Sequence, residues 1–89
     1  MRQSRRALRQ PAFLRALGLA IQSRREQLSL TIVQVASLSG TTPAALARVE
    51  AGGRNLTLLQ LATIAGALEI SLPELLSRAE RRLHRPRRR

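Results

Sequence analysis

The sequence predicts an all-α fold, a single small domain of five helices in 89 residues. Three observations carry the prediction. Apolar residues recur at spacings of three and four along most of the chain, which is the period of a helix face. Hydroxyl residues stand where such stretches begin, and glycine or proline where they end. With no Cys, Trp or Tyr and one Phe, a modest core of Leu, Ile, Val and Ala must hold the chain without disulfides.

Pro11 precedes a run in which Phe13, Leu14, Leu17, Ile21 and Leu28 fall near one face, so the first helix is expected over about Ala12 to Gln27. Gly18 weakens that helix and suits a close approach by another. The next stretch is ambiguous. Leu28, Leu30 and Ile32 alternate with Ser29 and Thr31 as in a strand, yet Thr31 also suits an N-cap. A lone strand has no partner among helices, so the reading is a second helix after Thr31, with Val35, Ala36 and Leu38 facing inward and Gly40 breaking it. Thr42 followed by Pro43 starts a third helix, about Pro43 to Ala51, seated by Leu46 and Val49 and ended by Gly52 and Gly53. Thr57 caps a fourth, about Leu58 to Leu68, with Leu58, Leu61, Ala62, Ala65 and Leu68 on one face. Ser71, Pro73 and Glu74 open a fifth, with Glu74 placed for a capping box. Its stripe is Leu72, Leu75, Leu76, Ala79 and Leu83. Pro86 is expected to stop it, leaving 87–89 disordered.

The net charge is +11, and every basic residue is Arg. Its distribution says more than its sum. Residues 1–10 hold Arg2, Arg5, Arg6 and Arg9 with no acid. Residues 77–89 hold Arg78, Arg81, Arg82, Arg85, Arg87, Arg88 and Arg89 against Glu80 alone. The middle sets five arginines against four glutamates. The division is therefore a basic arm over 1–10, a nearly neutral domain over 11–77, and the end of the fifth helix with a basic tail over 78–89. Basic arms of this kind bind nucleic acid through phosphates, with membranes and other polyanions as rivals. No apolar run follows the basic N-terminus, so no secretory signal is expected. The uncharged stretch 27–47 is broken by Gly40 and Pro43 and carries amide and hydroxyl side chains, which argues against a membrane span.

From Val35 to Asn55 the order is short apolar helix, Gly turn, N-cap, second helix and Gly break, the outline of a helix-turn-helix. The second helix of such a unit is shaped to enter a DNA major groove. Over about Leu17 to Leu76 the chain resembles the Cro/repressor (Xre-like) helix-turn-helix DNA-binding family. The matching features are Leu17–Gly18, Ile21, Arg25, Leu30, Ala36, Leu38 and Gly40, then Leu46, Val49–Glu50, Gly52, Arg54–Asn55 and the tail TLLQLATIAGALEISLPELL. The resemblance implies a five-helix lambda-repressor-like domain with basic, partly disordered termini. It implies a cytoplasmic, nucleoid-associated transcriptional regulator of repressor type, with autoregulation as one option. Such a regulator is a homodimer that sets two third helices in successive major grooves of double-stranded DNA. It further implies that Arg25 and Glu50 form a largely buried structural ion pair.

The departures matter as much. The first residue of the second helix, often a phosphate-holding Gln in the family, is Ile32. The outward positions that usually read bases are Pro43, Ala44 and Ala47, and alanine can touch a thymine methyl but cannot hydrogen-bond a base edge. Arg48 is the one side chain there able to grip guanine O6 and N7, unless it serves as an ordinary surface arginine. Thr41 and Thr42 offer hydroxyl contacts. Arg54 and Asn55 stand where the family meets the phosphate backbone, though Asn55 suits a plain turn equally. Arg2, Arg5, Arg6, Arg9, Arg85 and Arg87 are the candidate phosphate contacts of the arms, with the first three also suited to a minor groove.

Enzymatic readings find no support. The one His, His84, lies in the basic tail, Asp and Cys are absent, and no metal cluster, cofactor loop or nucleophile constellation is visible. The stripe Leu72, Leu76, Ala79 and Leu83 gives the fifth helix a candidate second job as a dimer seam. RNLTL after the Gly break resembles restriction-modification controllers, and phage or plasmid repressors share the pattern. Two alternatives stay open: an antitoxin paired with a toxin, and a protein-interaction module that has lost base readout.

Overall fold

A computed structural model describes residues 10–84. All regular structure among them is helical: α1 (Gln10–Gln27), α2 (Ile32–Ser39), α3 (Pro43–Glu50), α4 (Leu58–Ala67) and α5 (Leu72–Leu83). The expected elements are all present, and the second is the helix chosen over a strand. α1 begins two residues earlier than expected, because Pro11 sits inside its first turn, where no N–H is needed. None of these helices is by itself long and apolar enough to cross a membrane.

The four hydroxyl residues Thr31, Thr42, Thr57 and Ser71 each accept a hydrogen bond from the backbone N–H three residues on. At Thr31 and Thr57 the box is closed by Gln34 and Gln60, whose side chains accept from the cap N–H at 2.8 and 2.9 Å. At Ser71 the expected box is only half made. The Glu74 carboxylate turns along the helix to Arg78 (3.1 Å) and Arg81 (3.5 Å) instead. The hydrogen bond from Arg78 holds the Glu74 carboxyl below its usual range.

The ends of α1 to α4 share one device, a residue in the left-handed region that lets the following N–H reach back five residues. Gly40 (φ 69°) and Gly52 (φ 78°) supply it for α2 and α3. Ser29 (φ 58°) and Glu69 (φ 54°) supply it for α1 and α4. Arginine serves both of these non-glycine turns. Arg25 Nη1 donates to Leu30 O at 2.9 Å, and Arg24 donates to Leu68 O and Glu69 O at 2.9 and 3.0 Å.

The core is aliphatic, with Ile21, Val35, Leu46, Leu68 and Leu75 fully buried and Leu17, Ile64 and Ala79 beside them. α1 lies along α5 on one side and meets α3 on the other, while α2 packs on α3 and α4. Three expected faces need correction. Leu38 is exposed, because the inward stripe of α2 runs Ile32, Val35, Ala36 and Ser39, and Leu38 falls on its flank. Leu58 and Ala62 are exposed, because α4 buries Leu61, Ile64, Ala65 and Leu68. Ala79 has no exposed surface, so the α5 stripe cannot use it as a dimer seam; Leu72, Leu76 and Leu83 are half-buried. Pro86 and 87–89 lie outside the described residues.

Gly18 is the tightest point. A Cβ there would run into the Glu50 carbonyl oxygen and lie 2.6 Å from the Val49 carbonyl oxygen. Gly66, on the exposed side of α4, has nothing within 4 Å of the same position. The same substitution therefore has opposite signs at the two sites. Gly18→Ala loses about 1–3 kcal/mol through overpacking against backbone. Gly66→Ala gains roughly 0.5–1 kcal/mol of helix propensity. Chemical denaturation of the two variants checks this, and a neutral Gly18→Ala would refute the close approach.

Candidate nucleic-acid interface

α3 has two faces with separate duties. Leu46, Val49 and Glu50 point inward and are buried. Pro43, Ala44, Ala47 and Arg48 form the opposite stripe, and all four are exposed. The helix is short, eight residues, so its own propensity contributes little and packing must hold it. Pro43 at its start and the Thr42 cap fix where it begins, the Thr42 hydroxyl accepting from Ala45 N at 3.1 Å. That bond uses the Thr42 oxygen as acceptor and leaves its O–H free to donate outward.

Arg25 fixes the other end. Its Nε donates to Glu50 Oε2 at 2.7 Å and its Nη2 to Glu50 Oε1 at 3.1 Å, a two-pronged pairing. The side chains retain 12% and 7% exposure, so both charges are largely out of water. Hydrogen bonding to Glu50 raises the Arg25 guanidinium above its ordinary value, with burial opposing. With Nη1 on Leu30 O, one guanidinium joins α1, the turn before α2 and the end of α3.

Thr41, Thr42, Pro43, Ala44, Ala47 and Arg48 thus make one exposed surface at the start and along the outer side of α3. Arg54 and Asn55, also exposed, lie in the loop that follows Gly52 and Gly53. Among the described residues neither Arg48 nor Arg54 makes a salt bridge or side-chain hydrogen bond. The surface offers two free guanidiniums, hydroxyls at Thr41 and Thr42, and small apolar contacts at Pro43, Ala44 and Ala47. Arg2, Arg5, Arg6, Arg9, Arg85 and Arg87 lie outside the described residues. No cluster of His, Cys, Asp or Glu able to hold a metal exists among the described residues.

Sequence reasoning missed Arg24, which secures the end of α4, and the two Thr–Gln boxes. The boxes had a legible signal in the T-x-x-Q spacing. Leu58 and Leu59, 70% and 77% exposed at the start of α4, had none.

The pair gives a direct prediction. Glu50→Gln removes the charge and strands Arg25, which costs about 3 kcal/mol. The melting temperature then falls by more than about 10 °C for a domain of this size. A calorimetric trace overlapping that of the unaltered protein would show that the pair is not structural.

The family comparison agrees with this geometry. A family model described as helix-turn-helix matches residues 21–75. The clp gene regulator ClgR from Corynebacterium glutamicum is similar in structure at a TM-score of 0.80 and 28% identity, over 84% of this chain and 80% of that one. A second ClgR structure gives 0.72 and 30% identity, over 75% and 87% of the two chains. The restriction-modification controller protein C.AhdI from Aeromonas hydrophila gives 0.68 and 32%, over 70% and 94%. No curated protein sequence matches. A matched region that spans both α2 and α3, together with these structural relatives, settles the family: the chain belongs to the helix-turn-helix family of DNA-binding transcription regulators.

Proposed function

We propose that the protein is a sequence-specific repressor-type regulator that sets α3 in the major groove as a homodimer on paired half-sites about one DNA turn apart. The observation that supports this best is the exposed stripe of Pro43, Ala44, Ala47 and Arg48 on a helix whose opposite side is tied down by Glu50. In this reading Arg48 reads guanine, Ala44 and Ala47 touch thymine methyls, and Thr41 and Thr42 donate to bases or phosphates. Arg54 and Asn55 hold the phosphate backbone. The basic arms, through Arg2, Arg5, Arg6, Arg9, Arg85 and Arg87, supply affinity that a face of alanines lacks.

A second reading rests on the same alanines. A face with one strong reader also suits a protein-interaction module, or an antitoxin whose partner is a toxin. The names of the structural relatives, one a clp gene regulator and one a restriction-modification controller, differ in the genes they point to and leave the subtype open.

Two measurements test the proposal. In a selection from randomised DNA, Arg48→Ala loses preference for guanine at one position per half-site, worth about 1–3 kcal/mol. An unchanged preference would remove Arg48 from base reading. In binding titrations against salt, deleting 1–9 and 85–89 makes the log–log slope shallower by about 0.9 for each phosphate that the arms no longer neutralise. An unchanged slope would remove the arms from the interface, and sequence-blind binding by the whole protein would favour the interaction module.

A further inference from the structure

We propose that the cleft between α3 and α4 binds a small carboxylic acid with an apolar body, its carboxylate held by Arg54. The cleft measures about 220 Å³ and is bounded by the end of α2, the inner side of α3 and the first turns of α4. Its apolar lining includes Leu46, Val49, Leu56 and Ile64. Leu59 also lines it, yet stands 77% exposed, so an occupant would cover apolar surface that now meets water.

One charged group defines the chemistry of the occupant. Arg54 is the one charged side chain lining the cleft, and it makes no salt bridge among the described residues. Ser39, Thr41, Gln60 and Thr63 add uncharged polar groups to the lining. With no carboxylate in the lining, an acid meets one guanidinium and no repulsion. Size narrows the class. A dry cavity of about 150 Å³ takes benzene, so this cleft has room for a single ring with a short acidic arm or an acyl chain of similar bulk. It is smaller than the roughly 300 Å³ at which pockets for drug-sized ligands begin.

The position suits regulation. Leu46 and Val49 are the inner side of α3, so the ligand presses on that helix from behind. Its carboxylate also competes with DNA phosphate for Arg54, and this coupling, unlike the site itself, rests on the DNA reading above. Acid binding therefore weakens DNA binding, and DNA weakens acid binding by the same factor.

The test titrates the full-length ¹⁵N-labelled protein with 3-phenylpropionate, and with 3-phenylpropanol as the uncharged body. Saturable shifts are expected at the amides of Ser39, Gly40, Ala45, Leu59 and Thr63. Arg54→Gln weakens the acid at least tenfold and leaves the alcohol unchanged. Ala45→Leu fills the cleft and abolishes both; if that variant does not fold, Thr63→Leu closes the rim from an exposed position. Absence of saturable shifts, or equal acid binding by Arg54→Gln, would overturn the proposal. So would shifts that follow protein concentration instead of probe, which would make a second copy of the chain the occupant. Gel shifts with and without the acid separate the two readings. A protein that binds acid but no DNA keeps the site and loses the repressor, and one that binds DNA but no acid does the reverse.

Discussion

The near-contact of two backbones, α1 at Gly18 and α3 at Val49 and Glu50, sets the position of everything on the outer surface. At that separation there is no room for a side chain, so the crossing is decided by the absence of one. Gly52 repeats the device one turn away, since a Cβ there would lie 2.9 Å from the Arg15 Cα. The Arg25–Glu50 pair closes over the same crossing. Its role follows from its cost: two charges withdrawn from water stabilise little in sum, but any arrangement that separates them is heavily penalised. Steric fit brings α3 close, and the pair makes one orientation much better than its neighbours. An eight-residue helix has little stability of its own and depends on such contacts for its placement.

This explains why the buried and exposed sides of α3 are so cleanly divided. The residues that seat the helix on the domain lie on the Leu46, Val49 and Glu50 side, while Thr42 and Pro43 fix its start. Ala44, Ala47 and Arg48 on the opposite side are exposed and are free to vary in chemistry with little cost to the fold. Here that freedom has gone mostly to alanine, which keeps the helix thin. Among the described arginines near α3, Arg15, Arg48 and Arg54 are exposed and make no salt bridge.

Helix ends were more legible in the sequence than helix faces. A cap is a local event among four residues, so Thr31, Thr42, Thr57 and Ser71 could be read directly. Ser29 and Glu69 could not, because their left-handed turns hold through carbonyl contacts from Arg24 and Arg25 rather than through glycine. Faces depend on where neighbours lie. In a helix of two turns the apolar pattern fits more than one stripe, which is why Leu38 and Leu58 read as core and stand in solvent. The ion pair lies across 25 positions of sequence, and only the family resemblance connected its members. The outward positions of α3 came from the family resemblance, while its inward Leu46 and Val49 could be read from the residues themselves. The cleft beside it could not, because it is a gap between three elements and leaves no trace in any of them.

The arginines show why net charge is a poor guide to this protein. Arg25 is used for its planar fork, which serves a carboxylate and a backbone carbonyl together. Arg24 is used as a donor to the last carbonyls of α4, where the helix dipole also favours a cation. Arg78 is half-buried and donates both to Glu74, one helical turn away, and to Gln27 at the end of α1. Arg48 and Arg54 are held by nothing among the described residues. A uniform Arg-to-Lys exchange would preserve the +11 and yet act on these groups unequally. Arg25 and Arg24 would lose bonds that a single ammonium cannot make in the same geometry, whereas Arg48 and Arg54 have no such bonds to lose. The charge of this chain is therefore several separate devices that share one side chain, and Arg48 and Arg54, beside the outer stripe of α3 and the cleft behind it, are among the guanidiniums that no structural bond holds.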